Sequence, residues 1–284
     1  MTPEREVKMF LLGIADEAGE SIEKQIAAHR ELGWDHIEIR SVDKKNLTDV
    51  DDAVFNEITR KIEESKMQVS CFASQIANWS RKISGDFNID VEELKRAIPR
   101  MNRLNTKFIR IMSWPNDNLP DAEWRKEIIR RLKELAKIAE DGKVILAHEN
   151  CSGWGGQSPE QALDIIESVN SPALKFLLDT GNRPHKTGTV YEVYQKIKNH
   201  IVHVHIKDYA GEKGENFVFP GEGECQVEKI VKELLLSGYD GGFSIEPHMA
   251  SVIHLGKDAS DEDAAYRLYI EYGKKAQALV GARS

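Results

Sequence analysis

Short apolar runs alternate along the chain with longer segments that have a helical period. Eight of the runs are rich in β-branched and aliphatic residues and predict strands: VKMFLLGIA, DHIEIR, MQVSCFA, KFIRIMSW, KVILAHEN, ALKFLLDT, IVHVHIKD and GFSIEPH. The segments that follow these runs predict helices at 20–32, 48–65, 90–104, 121–140, 158–169, 189–199, 226–236 and 258–280. The pattern therefore predicts eight strand–helix units.

Small and polar residues mark several helix ends. Ser158 before Pro159 is typical of a helix start, with serine as the cap and proline in the first turn. Asp121 stands at another start, ahead of an acidic first turn. Gly33 and Gly142 come at the ends of helical segments and are expected to stop them.

Strands that alternate with helices about every 30 residues form a parallel sheet. In a chain of 284 residues we expect the sheet to close into a single (β/α)8 TIM barrel domain spanning residues 1–284. An open doubly wound sheet is the alternative, but no G-x-G-x-x-G follows the first strand.

Composition and charge narrow the classes of function. The net charge of -8 argues against a nucleic-acid binder, and no apolar run reaches membrane-spanning length. Cys71, Cys151 and Cys225 are odd in number and far apart, so they indicate neither a disulfide framework nor a structural zinc site. We expect a cytoplasmic protein that binds neither nucleic acid nor membranes.

Side chains able to bind a metal end the last four predicted strands. The endings are His148-Glu149-Asn150, Asp179-Thr180-Gly181-Asn182, His203-Val204-His205 and Glu246-Pro247-His248. Because catalytic groups of a TIM barrel lie at the carboxyl ends of its strands, two glutamates, one aspartate and one histidine are expected to converge there. Each could instead make a turn or a helix cap. An oxygen-rich site with one nitrogen suits Mn²⁺, Mg²⁺ or Co²⁺.

The seventh strand carries polar residues on one face. His203, His205 and Lys207 are two residues apart, so they point to the same side, while the residues between them are apolar. Lys207 is expected at the barrel mouth, where it would bind a phosphate, a carboxylate or a developing oxyanion, or simply be solvated. His203 is expected to be buried and hydrogen-bonded beside the site.

The motifs HEN, DTGN, HVHIKD, PGEGE and SIEPH, in this order, resemble the sugar phosphate isomerase/epimerase family with the xylose-isomerase-like barrel. The segment GIADEAGESIEKQIAAHRELGWDHIEIR looks like the first β-α-β unit of that family, which includes ketose 3-epimerases, hydroxypyruvate isomerase and inosose dehydratase. The resemblance implies a divalent metal, Mn²⁺ before Mg²⁺ or Co²⁺, bound by Glu149, Asp179, His205 and Glu246. It also implies that Glu149 and Glu246 carry protons, and that the protein forms a dimer or tetramer.

Further site residues are expected around these four. The predicted substrate contacts are Lys207, Asn182, Trp114, Trp154, Arg183 and His185. The two tryptophans follow the fourth and fifth strands, where they would wall the pocket and stack on a sugar ring, or only pack. Glu38 is expected to face the barrel interior and support the site together with His203, or to form an internal ion pair with a partner such as Arg110.

Two positions depart from the ketose 3-epimerase pattern. Asn182 stands where those enzymes have a histidine, and Gly211 where they have an arginine, so the resemblance leaves the substrate open. We expect an isomerase or epimerase of a ketose, keto-sugar acid or sugar phosphate that acts through a metal-stabilised enediolate. One alternative is a lyase or dehydratase of a keto sugar, cyclitol or glycoside by the same enediolate, and another is a sugar-binding barrel without catalysis.

Overall fold

Eight parallel strands form the centre of the molecule. The computed structural model describes residues 9–211, 216–249 and 262–281. The strands are β1 (Phe10–Gly13), β2 (His36–Ile39), β3 (Gln68–Ala73), β4 (Phe108–Ser113), β5 (Ile145–Gly153), β6 (Leu174–Asp179), β7 (Ile201–Ile206) and β8 (Gly242–Ile245). Seven lie within their predicted runs, and β5 continues three residues past the end of its run at Asn150; residues 7 and 8 of the first run are outside the described residues.

The strands close into a barrel. Their order in the sheet is β1-β8-β7-β6-β5-β4-β3-β2, and all neighbours are parallel. A parallel bridge between Ile14 and Glu38 joins the end of β1 to β2 and brings the two edges together. The predicted TIM barrel is therefore confirmed, and the carboxyl ends of all eight strands meet at one mouth.

Eight helices surround the barrel in the part of the chain that the structure describes. They are α1 (Ile22–Glu31), α2 (Asp52–Ser65), α3 (Asn88–Arg103), α4 (Asp121–Gly142), α5 (Pro159–Val169), α6 (Val190–Ile197), α7 (Val227–Leu236) and α8 (Glu262–Gly281). All eight overlap their predicted segments, and residues 258–261 of the last segment are outside the described residues. No helix among the described residues is long and apolar enough to cross a membrane.

Three of the four predicted helix ends are correct and one is wrong, and the first of the correct ones is the start of α4 at Asp121. The Ser158 side chain accepts a hydrogen bond from the Gln161 N–H, and Gly33 takes a left-handed φ of 73° just after α1. Gly142, in contrast, is the last residue of α4, and Lys143 takes the left-handed conformation with φ 58°. Close packing explains the glycine at 142, because a Cβ there would lie 2.7 Å from the Ile98 side chain.

The interior of the barrel is polar near the mouth. On β7, the side chains of Val204 and Ile206 belong to the hydrophobic core, while His203 and His205 face Glu38 of β2, and all five are fully buried. Two short hairpins cover the mouth: Ser41–Val42 pairs with Lys45–Asn46, and Asp208–Ala210 pairs with Asn216–Val218. The alternation predicted for β7 thus places its polar face inside.

Candidate metal and catalytic site

Four buried side chains converge at the mouth. Glu149 of β5, Asp179 of β6, His205 of β7 and Glu246 just after β8 each offer one ligand atom, and these atoms lie within 4.8 Å of one another. Each side chain comes from the carboxyl end of a different strand, so the parallel register brings them together without a long loop. These are the residues to which the sequence resemblance assigned a metal.

Two buried polar atoms in this cluster lack a hydrogen bond and could serve as ligands of a cation. Among the described residues, Glu149 Oε2 and His205 Nδ1 are buried and have no hydrogen-bond partner. His205 Nδ1 lies 3.5 Å from Glu246 Oε2 and 4.0 Å from Asp179 Oδ2. Leaving such groups unpaired in a buried site costs free energy, which a bound cation would offset. The donor set of three carboxylates and one imidazole suits a divalent metal with a preference for oxygen.

Burial and crowded charge change the protonation of the cluster. Burial raises the pKa of Asp179 to about 8, and the nearby Glu246 and Glu149 carboxylates add to the rise while Lys207 opposes it. Burial would also raise the pKa of Glu246, but Lys207 and His248 together hold it well below its ordinary value. Although burial lowers the pKa of His205, Glu38 and Glu246 raise it well above its ordinary value. A metal binding here would displace protons, as it does wherever carboxylates and imidazoles are ligands.

Glu38 fixes the orientation of both histidines. Its carboxylate lies 2.8 Å from His203 Nε2 and 3.1 Å from His205 Nε2. Because a carboxylate only accepts hydrogen bonds, the His205 Nε2 carries hydrogen and its Nδ1 is left to face Asp179 and Glu246. Glu38 and His203 thus lie beside the site as predicted. The suggested partner Arg110 instead has its Nε 3.5 Å from Glu149 Oε2.

Lys207 lies inside the cluster rather than at the solvent-exposed mouth. Its side chain is only 4% exposed, and its Nζ lies 2.7 Å from Asp179 Oδ2 and 2.9 Å from Glu246 Oε2. A Cβ on Gly181 would come within 2.6 Å of the Lys207 side chain, so the glycine makes room for this position. The ammonium therefore contacts two carboxylates of the proposed metal site.

The second oxygen of Glu246 is held by a network that the sequence did not reveal. Glu246 Oε1 lies 3.3 Å from Arg40 Nη1 and 3.1 Å from His248 Nε2. Arg40 also pairs with Asp16, and the His248 N–H donates to Glu17 Oε2. All four partners follow strands, Asp16 and Glu17 after β1, Arg40 after β2 and His248 after β8, so polar residues at the strand ends were the available signal.

A cavity of about 460 Å³ opens above the cluster. It is lined by residues at the ends of β4 and β5 and in the segments after β3, β6, β7 and β8: Trp79, Met112, Cys151, Ser152, Gly181, Asn182, Arg183, Pro184, His185, Lys207, Tyr209, Phe217 and His248. Four predicted substrate contacts, Lys207, Asn182, Arg183 and His185, are among them. Asn182 Nδ2 donates a 2.8 Å hydrogen bond to Glu149 Oε1, so it joins the cavity to the metal cluster.

Two predicted substrate contacts, Trp114 and Trp154, do not line this cavity. Trp114 is fully buried and donates from Nε1 to Asp90, while Trp154 is 8% exposed and donates to Asp164. Trp114 takes a positive φ of 39° just after β4, and its side chain lies in the core. The exposed tryptophan at the cavity is Trp79, which follows β3 and had no motif to mark it.

A buried carboxylate holds the described parts of the segment after β7, which contributes Tyr209 and Phe217 to the cavity lining. Asp208 accepts hydrogen bonds from the N–H groups of Tyr209, Gly221, Gly223 and Cys225. Gly221 takes a φ of 88°, and a Cβ on Gly223 would lie 2.3 Å from Asp208 Oδ1, so both turns require glycine. Of the three cysteines only Cys151 lines the cavity, and burial raises the pKa of its thiol far above the range of a nucleophile.

Comparisons with known proteins identify the family to which the sequence is similar. The chain matches the model of the xylose isomerase-like TIM barrel family over residues 26–272. It is 24% identical to inosose dehydratase of Clostridium perfringens over 178 residues, which cover 57% of this chain and 55% of that protein. It is 28% identical to D-psicose 3-epimerase of Enterocloster bolteae over 143 residues, which cover 47% and 44%. The chain thus spans about half the length of the curated relatives that it matches.

A solved structure shares the whole fold. The structure of the IOLI protein with a bound zinc atom superposes with a TM-score of 0.76 at 20% identity, and the match covers 96% of this chain and 99% of the other. At that identity the likeness concerns the fold. Together with the family match over most of the chain, it leads to one conclusion: this protein belongs to the xylose isomerase-like TIM barrel family.

Proposed function

We propose that the protein is a divalent-metal-dependent isomerase or epimerase that acts on a ketose, a keto-sugar acid or a sugar phosphate by proton transfer next to a carbonyl. The observation that carries the proposal is the convergence of Glu149, Asp179, His205 and Glu246 beneath one cavity. The relatives named inosose dehydratase and D-psicose 3-epimerase support a sugar-modifying enzyme. We take Mn²⁺ as the cation and the whole chain as one barrel domain.

The chain contributes ligands and two proton carriers. Glu149, Asp179, His205 and Glu246 would hold the metal, which when bound stabilises the negative charge of an enediolate. Glu149 accepts a hydrogen bond from Asn182 and has the Arg110 Nε at 3.5 Å, whereas Glu246 contacts Lys207, His248 and Arg40 at 2.9–3.3 Å. Glu149 is therefore the less constrained of the two carboxylates, and we assign to it the removal of the substrate proton.

Proton return decides which product forms. Glu246 lies just after β8, three strands away from Glu149 on β5, so the two carboxyl groups approach a substrate from different sides of the barrel mouth. Return of a proton by Glu246 to the opposite face of the same carbon gives epimerisation. Return to the neighbouring carbon gives aldose–ketose isomerisation. Lys207, between Asp179 and Glu246, is placed to bind a substrate oxygen.

A dehydratase is the second candidate. Inosose dehydratases are among the relatives, and loss of a β-leaving group from the same enediolate would give elimination with the same two carboxylates. Product analysis in deuterium oxide separates the two reactions. An isomeric sugar that carries solvent deuterium supports the isomerase or epimerase, whereas release of water or an aglycone supports the lyase.

Metal content tests both enzyme proposals against a sugar-binding barrel. Elemental analysis of the purified protein, followed by loading with Mn²⁺, is expected to show about one divalent ion per chain. If no divalent ion copurifies or can be loaded, the metal-dependent reactions are excluded and the sugar-binding alternative is favoured.

A further inference from the structure

The two carboxylate oxygens of Glu246 have different neighbours. Oε2 faces the other proposed ligands, because it lies 3.5 Å from His205 Nδ1 and shares the Lys207 ammonium with Asp179. Oε1 instead lies 3.1 Å from His248 Nε2, which is not one of the four proposed ligands. Oε2 is therefore the oxygen on the side of the metal, and Oε1 is the oxygen by which the protein holds the carboxylate.

The backbone of His248 has an uncommon conformation. Its φ of 52° lies in the left-handed region, which few residues other than glycine adopt. The His248 N–H donates a 2.8 Å hydrogen bond to the buried Glu17, so a residue after β1 holds this turn after β8. The imidazole is buried and lies edge-on to Phe217, with 5.0 Å between the ring centres. A left-handed residue that is held on several sides and contacts a proposed catalytic carboxylate indicates a functional role for its side chain.

Glu149, the other proposed proton carrier, is held in a similar way. Its Oε1 accepts a 2.8 Å hydrogen bond from Asn182, while its Oε2 forms no hydrogen bond within the described part of the chain. Asn182 and His248 both line the cavity above the metal cluster. Each of the two carboxylates thus has one oxygen in contact with a residue of the cavity wall. Hydrogen bonds of this kind fix the orientation of a ligating carboxylate before the metal binds.

We propose that His248 is a positioning residue for Glu246, and that its Nε2–H group holds Oε1 so that Oε2 stays on the side of the metal. His248 neither binds the metal nor transfers a proton in this role. Arg40 also contacts Oε1, at the longer distance of 3.3 Å, and shares its guanidinium with Asp16. The inference rests on the proposed function, because it takes Glu246 as a metal ligand.

Two replacements of His248 separate the hydrogen bond from the backbone conformation. The amide nitrogen of glutamine reaches about as far from the backbone as the Nε2 of histidine, whereas that of asparagine is one carbon shorter and lies near the position of Nδ1. Asparagine, however, adopts the left-handed conformation more readily than glutamine does. If Nε2 holds Glu246, His248→Gln should be the better substitute, and if only the turn matters, His248→Asn should be.

Calorimetric titration of the chelator-treated full-length protein with MnCl₂ gives the first readout. His248→Ala and His248→Asn should each bind Mn²⁺ about tenfold more weakly than wild type, and His248→Gln should bind within about threefold of wild type. The control His200→Gln, at a histidine that precedes β7 and lies outside the cluster, should leave the affinity unchanged. If His248→Ala does not fold, the comparison of His248→Gln with His248→Asn still decides between the two roles.

Crystal structures of the metal-free variants give a second readout that does not depend on metal binding. The Glu246 carboxylate should keep its wild-type position in His248→Gln and turn away from it in His248→Asn. The inference is overturned if His248→Asn binds Mn²⁺ as tightly as His248→Gln, or if Glu246 occupies the same position in both crystal structures. Failure of the wild-type protein to bind Mn²⁺ would instead contradict the proposed function, and the position of Glu246 in the metal-free crystals would still test the role of His248.

Discussion

Replacement of Lys207 by methionine should tighten metal binding. The Lys207 ammonium contacts Asp179 Oδ2 at 2.7 Å and Glu246 Oε2 at 2.9 Å, and these are two of the proposed metal ligands. In the wild-type protein a divalent ion must therefore compete with this ammonium for the same carboxylates. Methionine has a similar length and no charge, so Lys207→Met removes the competitor while it fills most of the space.

The size of the effect follows from the two ion pairs. At an effective dielectric constant of about 20, each pair at this distance corresponds to about 6 kcal/mol of Coulomb energy. The cost of burying the ammonium cancels most of this energy. We expect about 1.4–2.7 kcal/mol to remain, which corresponds to Mn²⁺ binding that is about 10- to 100-fold tighter.

Calorimetric titration of chelator-treated protein with MnCl₂ measures this change. Lys137→Met is the matched control, because Lys137 forms a 2.6 Å ion pair with Asp141 on the exposed face of α4 and should leave the Mn²⁺ affinity unchanged. Without metal, Lys207→Met should unfold at a lower temperature than wild type, since Asp179 and Glu246 lose their cation, and Mn²⁺ should restore it. Equal or weaker Mn²⁺ binding by Lys207→Met would refute the competition.

Four further variants test the other parts of the site. Glu149→Gln and Glu246→Gln, assayed at saturating Mn²⁺, should each slow exchange of the substrate proton with deuterium oxide by about 10²–10⁴-fold. Near-normal exchange in both variants would exclude the two-carboxylate mechanism. Glu38→Gln should weaken Mn²⁺ binding about 10- to 100-fold in calorimetry, because the hydrogen bond that orients His205 becomes weaker. An unchanged Mn²⁺ affinity would show that the Glu38–His205 hydrogen bond does not contribute to metal binding. Asp208→Ala should lower the free energy of unfolding, measured in urea, by about 3–5 kcal/mol, because four N–H groups lose their acceptor. A loss below about 1 kcal/mol would mean that water replaces the carboxylate as the acceptor.

The barrel and the metal cluster could be predicted because both depend on local periodicity. Strands of four to nine residues alternate with helices, and in a parallel barrel the residues at the strand ends must meet at one mouth. The period of two along β7 was sufficient to place His203 and His205 on one inward face with Glu38. The position of the strand ends and the facing of side chains along a strand follow from the sequence and do not depend on the conformation of the loops.

The loops and long side chains could not be predicted in the same way. Trp114 and Trp154 follow strands, as a pocket wall would, but the positive φ of Trp114 and hydrogen bonds to Asp90 and Asp164 bury their indoles. Lys207 has four rotatable side-chain bonds, and its position depends on carboxylates from β6 and β8. Contacts of this kind join residues far apart in the chain, so their geometry depends on the assembled barrel rather than on any local pattern.

The most direct test of the account is a crystal structure of the Mn²⁺-loaded protein with anomalous scattering data. We predict one strong anomalous peak at about 2.0–2.3 Å from oxygen or nitrogen atoms of Glu149, Asp179, His205 and Glu246. A soaked ketose should then place its carbonyl and the adjacent hydroxyl oxygen toward the same peak. A peak elsewhere in the protein, or none at saturating Mn²⁺, would contradict the proposed catalytic site.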